Sequence, residues 1–252
     1  MVHNARASHI ASALSIIDIL AVLYENILNI FPSEPENQNR DRFILSKGHA
    51  SPAYYAALAL KGFYDKKELG RYRKMNSLLQ GHPELNIPGV DHAGGSLGQG
   101  VPVANGMALA CKLDKKDYKV YALIGDGESQ EGVVWEASMS AAFYKLDNLV
   151  YILDKNQVQQ TGTTKEVMDI GNAVEKWKSF GFNVVEIDGH DMSQIIHALD
   201  KADKVKGKPT MIVANTIKGK GVSFMELNPK FHGKAPNDEE LKKAMDELKN
   251  FD

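Results

Sequence analysis

Gly125-Asp126-Gly127-Glu128 is followed, thirty positions after its aspartate (156 minus 126), by Asn156. Asp126 offers a carboxylate, Asn156 an amide oxygen, and the main-chain carbonyl of Val158 a third hard donor. Oxygen sets of this kind suit Mg²⁺ or Ca²⁺, and Mg²⁺ is commonly held by one or two carboxylates together with substrate phosphates. Glycines beside Asp126 let the main chain approach phosphate oxygens, and a helix opening after the turn presents free N–H groups to an anion. The chemistry these residues suggest is the seating of a metal-bound diphosphate.

Histidines supply the other chemical groups, because imidazole titrates near neutral pH and both donates and accepts hydrogen bonds. Of the eight in the chain, His49, His82 and His232 stand beside glycine, in Gly48-His49, Gly81-His82 and His232-Gly233. Polar residues on such loops are where functional side chains concentrate. His3, His92, His190 and His197 read as surface or core residues, with His190 in the turn Asp188-Gly189-His190-Asp191.

These residues need strands to end beside them. Tyr118 to Ile124 and Leu149 to Leu153 are apolar, β-rich runs that stop at Gly125 and Asp154, and Gln130 to Lys145 between them reads as a helix. That is a βαβ unit with Asp126 and Asn156 just past the carboxyl ends of its strands, where open α/β sheets keep ligands. Helices are expected over 13–29, 51–62, 66–75, 101–112, 173–180, 192–201 and 238–249. Further strands are expected over 43–45, 183–187 and 210–214, with residues 77–100 a long loop. In the last helix Leu241, Met245 and Leu248 mark the apolar face. The alternation predicts an α/β fold: one doubly wound domain over 1–252 with a mostly parallel sheet, and 237–252 as a helical tail.

The motifs resemble the transketolase family. Gly-Asp-Gly with Asn156 in Asp154-Lys155-Asn156-Gln157-Val158 is similar to its thiamine diphosphate motif, and Gln130-Glu131-Gly132, Trp135-Glu136-Ala137 and Lys145-Leu146-Asp147-Asn148-Leu149 resemble transketolases in particular. Ala7-Ser8-His9-Ile10-Ala11-Ser12 resembles the family's Ser-Gly-His-x-Gly segment, with Ser8 and Ser12 where glycines are usual. Ser46-Lys47-Gly48-His49-Ala50, Gly81-His82-Pro83-Glu84, Gly95-Ser96-Leu97-Gly98-Gln99-Gly100 and Thr216-Ile217-Lys218-Gly219-Lys220-Gly221 with His232-Gly233 extend the likeness from about Ser8 to Gly233.

The resemblance implies a thiamine-diphosphate-binding fold and ketol transfer from a ketose phosphate to an aldose acceptor. It implies cofactor contacts from His49, Gly95, Ser96, Leu97, Asp126, Gly127, Glu128, Asn156 and His232, with Asp126, Asn156 and Val158 on the metal. His9, His82 and His232 would meet substrate hydroxyls, and Arg73 is a candidate for the substrate phosphate. Glu131, with Glu136, would sit at an interface linking paired active sites through shared protons; on a solvated face the same acids would be ordinary partners of a helix start.

No second alternating βα series is present to hold the cofactor's aminopyrimidine ring. The resemblance therefore implies the N-terminal subunit of a split transketolase, working in an α2β2 heterotetramer with a separate C-terminal pyrimidine-binding subunit. The alternatives are a deoxyxylulose-phosphate synthase-like or 2-oxoacid dehydrogenase-like half, or a non-catalytic diphosphate-binding regulatory subunit. A net charge of −2 gives no reason to expect nucleic acid or an anionic membrane as partner. The one cysteine, Cys111, excludes an internal disulfide and a cysteine-based metal cluster. Without a long apolar span or a secretory leader pattern, the expected location is the cytoplasm.

Overall fold

The computed structural model describes residues 1–249; positions 250–252, the end of the expected tail, lie outside the described residues. Five strands, β1 (Arg42–Leu45), β2 (Val120–Gly125), β3 (Leu149–Lys155), β4 (Asn183–Asp188) and β5 (Thr210–Asn215), form one sheet in the order β1-β2-β3-β5-β4. Every pairing is parallel. The helices are α1 (Ile10–Leu14), α2 (Ile17–Val22), α3 (Ser51–Lys61), α4 (Gly100–Leu113), α5 (Gly132–Phe143), α6 (Thr164–Val167), α7 (Ala173–Ser179), α8 (Met192–Lys204), α9 (Lys230–Gly233) and α10 (Asp238–Lys249).

Side chains of a strand alternate between faces, so each strand feeds two cores. Phe43, Leu45, Tyr121, Leu123, Val150, Ile152 and Ile212 enter the core that includes Ile19, Leu58 and Leu199 of α2, α3 and α8. Ile44, Val120, Ala122, Ile124, Tyr151, Leu153 and Val213 enter the other, against Ala104, Val134 and Trp177 of α4, α5 and α7. Burial on both faces explains why β2 and β3 are near-continuous apolar runs in the sequence.

Three expectations are corrected. The helix expected over 13–29 is broken into α1, α2 and a π-helical turn, Leu23–Ile27. The cause is polar: the Ser12 carbonyl accepts from Ser15 Oγ (3.1 Å) and Lys47 Nζ (3.0 Å), while Ile16 N–H turns to Ala13 O. Residues 66–75 form only a short 3₁₀ helix, Lys66–Arg71, with none of its residues buried. In α10 the buried position is Ala244, packed with Ala11, Val222 and Phe231, and Met245 and Leu248 are 48% and 39% exposed. The small Ala244 is the residue of α10 taken into this cluster, and Met245 and Leu248 turn outward.

Candidate functional site

Four strand ends converge at the carboxyl edge of the sheet. β1 leads into Ser46–His49, β2 into Gly125–Glu128, β3 into Asn156–Gln160 and β5 into Thr216–Lys218. The cleft between them, about 420 Å³, is also lined by His9, His82, Gly95, Leu97, Gln130, Glu131 and His232. Every residue expected to contribute lines this cleft except Ser96, Arg73 and Glu136, the last of which lies on α5 away from it. Ser96 is exposed and its carbonyl accepts from Gln99 N–H, so the turn carries it away while its neighbours Gly95 and Leu97 face inward. Arg73 lies against Gly81, outside the lining.

Asp126, Asn156 and Val158 come together as buried residues. The Asp126 carboxylate accepts from Gly127 N (2.8 Å) and Gln157 N (2.6 Å), which bolts it to the loops after β2 and β3. Burial, and then the nearby Asp154 carboxylate, push it up to about 6. Asn156 donates its amide to Asp154 Oδ2 (2.7 Å), leaving its Oδ1 as an acceptor, here of Val158 N at 3.2 Å. The Val158 carbonyl accepts from Lys218 Nζ at 2.9 Å. Among the described residues no group of three or more His, Cys, Asp or Glu side chains is placed to hold a metal, so the donors here are of mixed oxygen type. They fit a hard divalent cation: two oxygens are fixed in direction by hydrogen bonds, and the buried Asp126 carboxylate has a second carboxylate, Asp154, close by.

Beneath them Asp154, fully buried, forms an ion pair with Lys47 (2.5 Å) and accepts from Ser15 Oγ (2.9 Å) and Thr216 Oγ1. Burial raises the Asp154 carboxyl, but Lys47 and the donors around it outweigh that and hold it below its usual value. Glu128 spends its carboxylate as a brace, accepting from Ser46 Oγ, Gly98 N (2.7 Å) and Gly125 N (2.9 Å). It thereby ties the loops after β1 and β2 to the Gly95–Gly100 turn.

Three imidazoles stand together. Ring centroids of His9 and His49 are 5.0 Å apart, His9 and His232 5.0 Å, and His49 and His232 5.3 Å. His82 lies apart on the exposed side of the cleft. Burial, then the charges of neighbouring residues, lowers His9 to about 4 and His232 to about 3, and pushes His49 down as well. All three are therefore neutral at pH 7. Lys218 Nζ lies 2.8 Å from His232 Nδ1; an ammonium can only donate, so the imidazole proton resides on Nε2. Burial, then Lys47, lowers Lys218 to about 8. His9 Nδ1 is buried and has no hydrogen-bond partner, a feature that calls for a ligand.

Lys47, Lys218, Asp154, Gln130 and Gln159 were absent from the residues expected at the site. Lys47 and Lys218 each stand beside a glycine in a motif already singled out, Ser46-Lys47-Gly48-His49 and Ile217-Lys218-Gly219, and that was the available signal. Asp154 opens the motif Asp154-Lys155-Asn156-Gln157-Val158, but an aspartate ending a strand says nothing of a lysine 107 positions earlier.

Over residues 1–250 the sequence matches the family described as transketolase, thiamine diphosphate binding domain. It is 42% identical over 248 residues to an apulose-4-phosphate transketolase subunit of Phocaeicola vulgatus, covering 98% of this chain and 88% of that protein. It is 43% identical over 241 residues to the 6-deoxy-6-sulfo-D-fructose transketolase subunit SqwG of a Clostridium species, covering 95% and 88%. Among solved structures, transketolase from Campylobacter jejuni superposes with a TM-score of 0.93 at 38% identity, over 98% of this chain and 40% of that one. The chain thus spans about two-fifths of that solved transketolase.

Proposed function

The chain belongs to the transketolase family, and from that premise we propose that it is the N-terminal, diphosphate-binding subunit of a split, thiamine-diphosphate-dependent transketolase. The observation that carries this reading is the convergence of four strand-end loops on one cleft, with three neutral imidazoles beside a buried set of oxygen donors. The relatives named as transketolase subunits support ketol transfer over the synthase-like, dehydrogenase-like and regulatory readings.

Asp126, Asn156 and the Val158 carbonyl would hold Mg²⁺ or Ca²⁺, and the Gly95 and Leu97 turn, Gly127, His49 and His232 would receive the diphosphate. Thiamine diphosphate, when bound, supplies a carbon nucleophile able to take a two-carbon ketol unit from a ketose phosphate and hand it to an aldose. The protein's own part is positioning and proton placement. Neutral His9, His82 and His232 offer donors and acceptors to sugar hydroxyls, and Lys218 keeps the His232 proton on Nε2. Lys47 and Lys218 supply positive charge at the floor without drawing on the histidines.

The relatives carry "subunit" in their names, and this supports a separate pyrimidine-binding partner, which we place with this chain in an α2β2 assembly in the cytoplasm. To Glu131, exposed at the cleft margin where α5 begins, and to Glu136 on α5 we assign a role at the interface between paired active sites. The test is to purify the chain with and without that partner and to assay thiamine diphosphate- and Mg²⁺-dependent ketol transfer from ketose phosphates. Activity only in the mixture is expected; full activity from this chain alone would refute the split reading.

A further inference from the structure

The turn after β4 lies outside the cleft, yet one of its side chains reaches the segment that enters it. The His190 imidazole, 11% exposed, is wedged between α2 and the residues after β5. Its Nδ1 lies 2.7 Å from Asp18 Oδ2 and its Nε2 2.8 Å from the main-chain nitrogen of Ile217. A peptide N–H can only donate, so Nε2 must be the bare, accepting nitrogen. The ring proton then sits on Nδ1 and is donated to Asp18. The two contacts select one tautomer and one ring orientation.

The close approach is built in. A Cβ on Gly189 would lie 2.4 Å from Thr216 Cγ2, so only glycine lets the turn lie against the strand end. Gly189 N–H also donates to Asn215 O at 2.8 Å. Ile217 stands between Thr216, whose hydroxyl donates to Asp154, and Lys218, which bonds Val158 O and His232 Nδ1. The same segment is tied down at Thr216 N to Lys155 O (3.2 Å) and Gly219 N to Ala11 O (3.0 Å). Losing the middle anchor would therefore shift the segment without unfolding it.

We propose that His190 is a positioning residue: held by Asp18, it pins the Ile217 N–H and so fixes where Lys218 and His232 stand in the cleft. The consequence for cofactor affinity rests on the function proposed for the cleft; the pin itself does not.

Two substitutions separate the contacts. Asparagine places its polar atoms near where Nδ1 sits and can still reach Asp18, whereas glutamine places an acceptor near Nε2 and can still reach Ile217. The full-length chain carrying His190→Asn or His190→Gln is compared with wild type by amide hydrogen exchange without ligand. With the partner subunit present, the KM for thiamine diphosphate at saturating Mg²⁺ and kcat are then measured separately. The Asn variant is expected to speed exchange at Ile217 about tenfold and raise the cofactor KM by a similar factor, with kcat nearly unchanged; the Gln variant should restore both to within about threefold. Wild-type behaviour in the Asn variant, or rescue by Asn and not by Gln, would overturn the proposal. Exchange is read without cofactor, so it decides the pin even where the wild-type chain binds no thiamine diphosphate, a result that would instead refute the proposed function.

Discussion

Replacing Lys47 by methionine is the sharpest test of what holds the cleft floor. The side chains of Lys47 and Asp154 are 2% and 0% exposed and 2.5 Å apart, so the substitution strands a carboxylate with no route to water. Removing one member of a buried ion pair costs about 3–5 kcal/mol, and the Ser12 carbonyl also loses a donor. Ser15, Thr216 and Asn156 still donate to Asp154, which places the expected loss in the lower part of that range, about 3–4 kcal/mol. Methionine keeps most of the apolar stem, so little of the loss is packing. With a urea m-value of about 2–3 kcal/mol/M, the unfolding midpoint should fall by about 1–2 M. Fluorescence of buried Trp177 provides the signal. The double variant Lys47→Met/Asp154→Asn removes both charges and should recover about 2 kcal/mol of the sum of the two single losses. A single-variant loss below about 1 kcal/mol, or strict additivity in the double, would refute the claim that this pair is a desolvated, mutually dependent unit.

Asp126→Ala should weaken Mg²⁺-dependent thiamine diphosphate binding at least about 100-fold by calorimetry, and retained affinity would move the metal elsewhere. Acid should destabilise the chain between pH 6.5 and about 4. In that window unfolded histidines, near their ordinary 6.5, bind protons that buried His9 and His232 refuse down to about 4 and about 3, so stability falls as pH drops. Urea midpoints measured across this range should show a shallower slope in His9→Gln, and an unchanged slope would contradict the assignment. Gly98→Ala should cost about 1–3 kcal/mol, because φ is +81° and the new Cβ would meet Val133 Cγ1 at 2.7 Å. Cofactor affinity should fall with it, since Gly98 N–H is one of the donors gripped by Glu128.

The parts of the site legible in the sequence were those in which local chemistry and strand ends coincide. Asp126 and Asn156 follow apolar runs that could only be buried strands, and glycine marks the loops carrying His49, Leu97 and His232. Their meeting in space follows from a parallel sheet, which sends every strand end to the same edge. What escaped depends on partners distant in sequence. A helix over 13–29 is correct by periodicity and fails because Ser15 and the Ser12 carbonyl are drawn toward Lys47 and Asp154. In α10 an amphipathic pattern ranks residues by hydrophobicity and points to Met245 and Leu248, whereas the cluster with Ala11, Val222 and Phe231 takes in the small Ala244. Ser96 shares its glycine-rich motif with Gly95 and Leu97, and nothing local in the sequence separates it from these two, which line the cleft where it does not.

The charge arrangement of the cleft explains why histidine is useful there. Lys47 and Lys218 balance Asp154 and Asp126, so the buried floor carries its own compensation before any ligand arrives. Imidazolium rings packed 5.0–5.3 Å apart above two lysines would add repulsion to desolvation, and both effects drive His9, His49 and His232 to the neutral form. A neutral imidazole is both donor and acceptor, the capacity needed to meet a hydroxyl group. Its direction must then be set by a neighbour: Lys218 donates to His232 Nδ1, and one residue earlier the Ile217 N–H is held by His190 from outside the cleft. The placement of Lys218 beside His232 therefore depends on the segment after β5, whose anchors at 216, 217 and 219 come from three different elements.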